Sequence, residues 1–318
     1  MNAGSARQTM RNAPGLGVLK RLGALLVVIG LLSSSYLFWI RPAQLHWGAT
    51  PEEVARAMPE DSVVPNPVFD ATRAITIRGT PEQVWPWLVQ MGFRRAGFYG
   101  YDLIENAGSG TGIRSARSIL PQFQHPHTGD LLPLSVAAAL KFGIVEPNSV
   151  VVWLAQDVPC DGVFVWQLVP IDAQHTRLIS RIRWNYAPGI WFKALGLFTE
   201  FADHVAVRKI LEGVRDRVER RELEPLALEA VEISSWLLAF FELCVASCVI
   251  VFGRRWNAAW LFALGAGALL QFVLYSNAPV WVCTPLPWLY LALMIWSWRR
   301  GRAKPVRAPA TYQSPEPI

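Results

Sequence analysis

Two carboxyl side chains, Asp102 and Glu105, stand three residues apart at the end of the aromatic run Phe98-Tyr99-Gly100-Tyr101. That spacing puts both on one side of a helical turn. General acid–base chemistry needs such a carboxyl in a dry pocket with its pKa raised. The same pair also suits a surface turn, ion pairing with Arg94, Arg95 or Arg117, or the anchoring of a ligand's polar end. His125, His127 and Asp130 place a His-x-His beside a carboxylate, the beginning of a metal site. Pro126 and Gly129 mark that stretch as a loop and no fourth ligand is in sight, so no metal is expected. There is no Gly-x-Ser-x-Gly elbow or Cys/His pairing to supply a nucleophile. The glycine-rich stretch 106–112 lacks the Gly-Lys-Ser/Thr ending of a phosphate loop, and no cofactor is implied.

The remaining candidates are aromatic. Trp87, Phe98, Tyr99, Tyr101, Trp153, Trp166 and Trp184 would either fill a core or line a cavity for an apolar ligand with one polar end. Arg117 and His204 are the polar contacts expected beside them, His204 from near the apolar face of a long helix.

Positioning these side chains takes a sheet and helices. Residues 69–78 alternate as a strand, with Ile75 and Ile77 on one face. Thr80, Pro81 and Gln83 then write a helix start, with Pro86 as a source of a kink or a 3₁₀ turn. Further strands are expected at 130–134, 150–156, 162–171 and 176–186. Alternation in the last puts Arg177, Arg181 and Arg183 on a water-facing side of an antiparallel sheet, or against anionic headgroups. Residues 189–201 and 203–224 read as helical, the first rich in aromatics and suited to a lid or a core cap, the second amphipathic. Upstream, Thr50, Pro51 and Glu53 form a capping box in a linker over 41–66.

The chain of 318 residues is 52% hydrophobic and 17% charged, with 15 Trp. The excess apolar content sits in four blocks, at 22–40, 233–252, 257–275 and 279–298, each near the roughly 20 residues that cross a bilayer. The net charge of +6 does not indicate nucleic acid. Residues 41–229 carry 19 Lys+Arg and 21 Asp+Glu, and the other 11 cations (30 less 19) flank the apolar blocks. Arg7, Arg11, Lys20 and Arg21 precede the first block. Arg254 and Arg255 follow the second, and Arg299, Arg300, Arg302, Lys304 and Arg307 follow the fourth. Under the positive-inside rule both termini are cytoplasmic and 41–232 is extracytoplasmic. A cleaved signal peptide ending near Ser33–Ser35 is the alternative for the first block. Cys160, Cys244, Cys248 and Cys283 show neither disulfide-scaffold nor zinc spacing. Within the blocks, Glu242 and Gln271 are polar groups expected to make a buried bond or to line a pathway. Ala259, Ala263 and Gly267 favour close helix packing.

The stretches ATRAITIRGTPEQVWPWLVQMG, AGFYGYDLIEN, RSARSILPQFQ and HTGDLLPL, with the strand ending VPIDAQHTRLISRIR, resemble the SRPBCC superfamily. These are START-related proteins often labelled polyketide cyclase/dehydrase. The resemblance covers about residues 41–221. It implies an α+β helix-grip domain, a curved antiparallel sheet with a long C-terminal helix over a deep apolar cavity. It does not imply one chemistry, and carries over no catalytic residue.

The expected organisation is a tail (1–21), a first span (22–40), a linker (41–66), a helix-grip domain (67–226), three further spans (233–298) and a basic tail (299–318). The expected setting is the bacterial plasma membrane, and the expected partners are the bilayer and a hydrophobic small molecule or lipid. A cyclase- or dehydratase-type enzyme using Asp102 or Glu105, and a structural or sensory membrane protein, are the alternatives. The topology has a direct test. A reporter fused after Ser276 is expected to be active outside the cytoplasm and one fused after Arg302 inside; the reverse pattern overturns the orientation.

Overall fold

The computed structural model describes residues 14–107, 112–155, 161–186, 189–253, 256–276 and 278–300; the side chains of 14–16, 190–195, 197 and 198 are outside the description. Cys160, the turn at 158–160, the cations at 7, 11, 254, 255, 302, 304 and 307, and the aromatic side chains of 191, 192 and 198 therefore lie outside the described residues. The chain divides into two compact units, Ser33–Ile233 and a second made of Met1–Leu32 with Ser234–Ile318.

The first unit is an antiparallel sheet of six strands in the order β1-β6-β5-β4-β3-β2. The strands are β1 (Phe69–Arg78), β2 (Leu131–Pro133), β3 (Ala139–Glu146), β4 (Val150–Ala155), β5 (Gly162–Pro170) and β6 (His175–Trp184). β3 is the element that the sequence pattern concealed. Its register shifts between Phe142 and Val145, so the period-two alternation breaks midway. The helix Pro81–Val89 follows β1, and the Thr80 amide donates to the Gln83 side chain at 2.9 Å. It continues as α-helix through Pro86, with Val84, Trp85, Trp87, Leu88 and Val89 buried. That packing outweighs the one backbone bond a proline forfeits, so neither break nor 3₁₀ turn occurs. A single helix, Ile190–Val218, replaces the two expected pieces and stops short of 224.

Alternation sorts the sheet into two faces. Odd positions of β1 and even positions of β5 and β6 face the long helix, where Ile75, Ile77, Trp166, Leu168 and Leu178 join the main core. The opposite face is not wet, which corrects the expectation for the three arginines. The linker lies over it, and Met58 and Val64 pack with Ala74, Val150, Val152, Val163, Val165 and Ile179 in a second core. Arg181 is 4% exposed. Its guanidinium donates to Thr72 Oγ1, to Asp61 and to the carbonyls of Glu53, Val54 and Arg56, at 2.7–2.9 Å. Arg177 grips Glu53 with two bonds of 2.7 and 2.8 Å. Glu53 also closes the capping box with Thr50, as its spacing implied. Arg183 donates to the Asp61 carbonyl at 3.0 Å. Alternation reveals that a strand has two faces but not what covers each of them.

The long helix is seated by charge as well as by apolar contact. Arg73, on the inner face of β1, donates to Asp203 at 2.5 Å and to the Gln44 carbonyl at 2.8 Å. Arg41 makes two bonds to Glu200 at 2.8 and 3.0 Å.

Among the described residues four helices are long and apolar enough to cross a membrane, and three of them lie wholly or mainly within the other unit: Leu226–Phe252, Trp256–Tyr275 and Val280–Arg300. The fourth, Gly17–Leu45, begins there and contains a π-helical turn at Tyr36–Ile40. Ala259 and Ala263 pack with Val28, Ala246, Ile250 and Met294, and Gly267 gives its place to Leu32. Gln271 Nε2 donates to the Leu32 carbonyl at 2.8 Å. Glu242 does not make the bond expected of it. It is 1% exposed, and neither carboxyl oxygen has a hydrogen-bond partner among the described residues. Cys244 and Cys248 are exposed and Cys283 is buried, all three as free thiols.

Removing one partner of a buried ion pair strands the other, at a cost of about 3–5 kcal/mol. Arg73→Met is therefore expected to lower the thermal midpoint of the full chain in detergent sharply. The double substitution Arg73→Met with Asp203→Leu is expected to restore most of the loss. A single variant as stable as the parent would show that the pair does not seat the helix.

Candidate functional site

The space between the sheet and the long helix is not filled. A cavity of about 200 Å³ remains there. The sheet contributes Trp153 from β4 with Phe164 and Trp166 from β5; the helix contributes Asp203, Ala206, Val207 and Ile210. Phe98, Glu105 and Leu134 complete the wall. Trp153 and Phe164 are direct cross-strand partners with ring centroids 6.3 Å apart, and the Trp153 and Trp166 rings are 5.3 Å apart. Three of the seven predicted aromatics thus border the cavity.

The other four are elsewhere. Trp87 meets Tyr99 edge-on at 5.9 Å in the main core. The Tyr99 hydroxyl donates to the Trp87 carbonyl at 3.1 Å and accepts from Gln90 at 2.8 Å. Tyr101 is buried and donates to Glu232 at 2.9 Å. Trp184 packs edge-on to Phe164 at 6.2 Å and occupies the place that a side chain on Gly162 would need. None of these four lines that cavity, and Tyr99 borders a separate polar cleft. His204 is buried on the helix but does not border the cavity. Burial, then the nearby Arg73 and Arg208 guanidiniums, hold its imidazole down to about 3, so it is neutral. Arg117 is exposed and belongs to a separate polar cleft of about 90 Å³, shared with Arg114, Arg217 and Lys209.

The two carboxyls at the end of the aromatic run part company. Asp102 is spent on structure: it accepts from the Ser115 hydroxyl at 2.6 Å, the Ser115 amide at 3.1 Å and Asn106 at 3.0 Å. It faces the polar cleft. Glu105 is one of the residues lining the apolar cavity. Its stem is partly exposed, but both carboxyl oxygens are sealed from solvent. Burial pushes this carboxyl up to about 8, with Asp102 and Glu229 adding repulsion. The nearby Tyr101 and Gly100 amides pull the other way, yet neither oxygen completes a hydrogen bond. At neutral pH Glu105 is therefore a neutral acid in an apolar wall, the environment that keeps a proton available. Asp203, the other polar group on that wall, is turned to Arg73.

The loop that delivers Glu105 is pinned. Tyr99 holds a left-handed backbone, φ 68°, which costs a non-glycine residue about 1–3 kcal/mol. Its carbonyl occupies the place where Gly213 of the long helix lacks a Cβ. Ser115 Oγ accepts from the Tyr99 amide at 3.1 Å. His127 and Asp130 form a loop turn, with the His127 amide on the Asp130 carboxylate at 2.8 Å, and among the described residues no cluster of three or more metal-ligating side chains is present.

Phe164 and the helix residues were missed as site residues, although signals existed for both. Phe164 shares the face of Trp166, and Asp203, Ala206, Val207 and Ile210 fall at helical spacings of three and four.

No family model matches the chain, and no curated protein matches it. Solved structures similar to it include a Mesorhizobium loti protein, at 18% identity over 48% of this chain and 100% of the other, with a TM-score of 0.29. The Zhui aromatase/cyclase of a Streptomyces species matches at 15% identity over 48% of this chain and 93% of its own, TM-score 0.32. A conserved protein of Geobacillus kaustophilus matches at 15% identity over 48% and 95%, TM-score 0.27. Similarity of this degree assigns neither ligand nor reaction.

The buried acid leaves a signature in stability. The unfolded chain ionises Glu105 above about 4.5, while the folded chain keeps it protonated to about 8. The folded state therefore holds the extra proton in that window, and the Glu105 contribution to stability, complete below about pH 4.5, is lost as pH rises through about 8. Glu105→Gln is expected to gain stability relative to the parent across pH 5–8, read as a difference in melting temperature. A constant difference over that range would show that the carboxyl is not held neutral.

Proposed function

We propose that this chain is a membrane-anchored protein whose sheet-and-helix unit binds a small hydrophobic molecule. The observation that carries this reading is the apolar cavity of about 200 Å³, walled by Trp153, Phe164 and Trp166, with Glu105 contributing to its wall. Pockets for small ligands are mostly apolar with a few placed polar groups, and this one has that character. A cavity of about 150 Å³ takes one benzene ring. The ligand is thus a single ring with short substituents, or the end of a chain, rather than a whole lipid. A purely structural or sensory role is less well supported, since aromatic filling alone would leave no such space.

The resemblance of residues 41–221 to the SRPBCC superfamily supports the same reading, with the helix-grip domain at 67–226. Four helices of sufficient length and apolarity supply the anchor. The distribution of Lys and Arg supports cytoplasmic termini and an extracytoplasmic 41–232, so that the cavity draws its ligand from outside the cytoplasm or from the membrane.

The second reading is an acid–base enzyme of the cyclase or dehydratase kind. One observation favours keeping it: Glu105, a residue of the cavity wall, holds a proton at neutral pH. Asp102 has no part in it, because its oxygens are committed to Ser115 and Asn106.

The two readings share a test. The full chain, purified from membranes in mild detergent, is extracted with organic solvent and analysed by mass spectrometry, beside the variant Ala206→Trp, which fills the cavity. A ring-sized apolar compound is expected at roughly one per parent chain and at least about tenfold depleted in the variant. Absence of any such compound, together with no binding of added apolar probes, would sink the proposal. Conversion of the bound compound by the parent but not by Glu105→Gln would select the enzyme reading.

A further inference from the structure

We propose that the polar cleft beside Tyr99 binds a phosphate group, carried by a phospholipid or by a free phosphate compound. The cleft is separate from the apolar cavity, and the proposal does not rest on the reading of that cavity. It lies wholly within the Ser33–Ile233 unit, holds about 90 Å³ and has a mainly polar surface. One wall is a face of the long helix, where Lys209, Glu212, Gly213, Asp216 and Arg217 follow helical spacing. Arg114 and Arg117 stand on the loop opposite.

Acids line the cleft as well as cations, so the outcome turns on which charges are already paired. Asp102 is committed to Ser115 and Asn106. Asp216 accepts from Arg215 at 2.9 Å and lies 3.8 Å from Arg221. Glu224 and Lys209 hold each other at 2.5 Å, and Glu229 accepts from the Leu103 amide at 2.7 Å. Glu212 is the acid left over, with no hydrogen bond or ion pair among the described residues. Against it stand three guanidiniums, of Arg114, Arg117 and Arg217, and none of them has a carboxylate partner among the described residues.

Arg217 is the anchor of the three. Its Nε donates to the Ala116 carbonyl at 2.9 Å, its Nη1 to the Gly213 carbonyl at 3.0 Å, and the guanidinium lies over the Tyr99 ring, 4.3 Å from the centroid. These contacts fix the group in place without supplying an opposite charge. The remaining nitrogen, Nη2, makes no hydrogen bond among the described residues and is not sealed from solvent. Burial pulls the Arg217 pKa below its ordinary value and Arg117 adds repulsion in the same direction, opposed by Tyr99, Asp102 and Asp216. A half-buried cation with a cation for a neighbour calls for an anion. The guanidinium fork matches the oxygens of a phosphate or a carboxylate. Guanidiniums on two walls favour phosphate, whose oxygens point in several directions, over a carboxylate with two oxygens in one plane.

The full chain in a phosphorus-free mild detergent is titrated with inorganic phosphate, glycerol 3-phosphate and dihexanoyl phosphatidic acid at constant ionic strength, followed by ³¹P line broadening. The double variant Arg114→Gln with Arg117→Gln serves as the reference for partition into the micelle. Saturable binding by the parent is expected, weakened several-fold by Arg114→Gln or Arg117→Gln alone and at least about tenfold by Arg217→Gln. Glu212→Gln removes the unpaired negative charge and is expected to tighten binding several-fold, a change that loss of folding does not produce. Arg78→Gln, at an exposed cation outside the cleft, is expected to leave binding unchanged. The exposed arginines and Glu212 decide the matter if Arg217→Gln fails to fold.

Equal affinity for the three compounds upholds the proposal with a free phosphate compound as the ligand. Phosphatidic acid bound at least about tenfold more tightly than glycerol 3-phosphate upholds it with a phospholipid headgroup. Absence of saturable binding by all three overturns it. Equal binding by the parent and the Arg114→Gln and Arg117→Gln variants, or weaker binding by Glu212→Gln, does so as well. The apolar cavity is untouched by any of these results.

Discussion

The sheet-and-helix unit depends on one buried guanidinium. Arg73 stands on the inner face of β1, where alternation would otherwise place an apolar side chain, and is 1% exposed. It reaches Asp203 on the long helix and the Gln44 carbonyl at the end of the first helix, so three segments far apart in sequence converge on it. An apolar contact would hold the helix against the sheet but would tolerate sliding; a charged hydrogen bond fixes orientation as well. That fixed seat prevents collapse of the helix onto Trp153 and Trp166. The cavity and the ion pair are two results of one arrangement, with Asp203 taking part in both.

The second constraint is the burial of both sheet faces. The inner face packs on the long helix, the outer on the linker. Val150, Val152, Val163 and Val165 would otherwise present an apolar surface to water, and Met58 and Val64 cover it. Arg181 stitches that cover in place by spending its donors on linker carbonyls and on Asp61. A rigid sheet follows, and the aromatic wall of the cavity is built on the two central strands that this cover stiffens.

Much of this was legible in the residues. The capped helix at Pro81, the strand β1, the paired strands β5 and β6 and the Thr50 capping box follow from local spacing, because each depends on neighbours within a few positions. β3 was not legible, since a register shift cancels the alternation that would announce it. The coverage of Arg181 was not legible either: it depends on the path of a linker more than a hundred residues away, which no periodicity encodes. Asp102 and Glu105 looked interchangeable in sequence. Their separation comes from Ser115 and Asn106, which claim Asp102, and from the turn that sends Glu105 to the other side of Gly100. The aromatic cluster was read as either core filling or cavity lining, and which ring borders space is decided by packing on the far layer.

Gly213 sets a limit on how this site can adapt. The Tyr99 carbonyl enters the long helix at the one place on that turn without a side chain. A helix shifted by a single residue would turn through about 100° and bring Glu212 or Val214 against that carbonyl. The helix therefore has a single register against the loop that carries Glu105, and the span between Ala206 and the tryptophans is fixed along with it. On the function proposed above, a cavity held in this way would work as a gauge rather than a glove: it would select by dimension, meeting a larger ligand with exclusion instead of expansion.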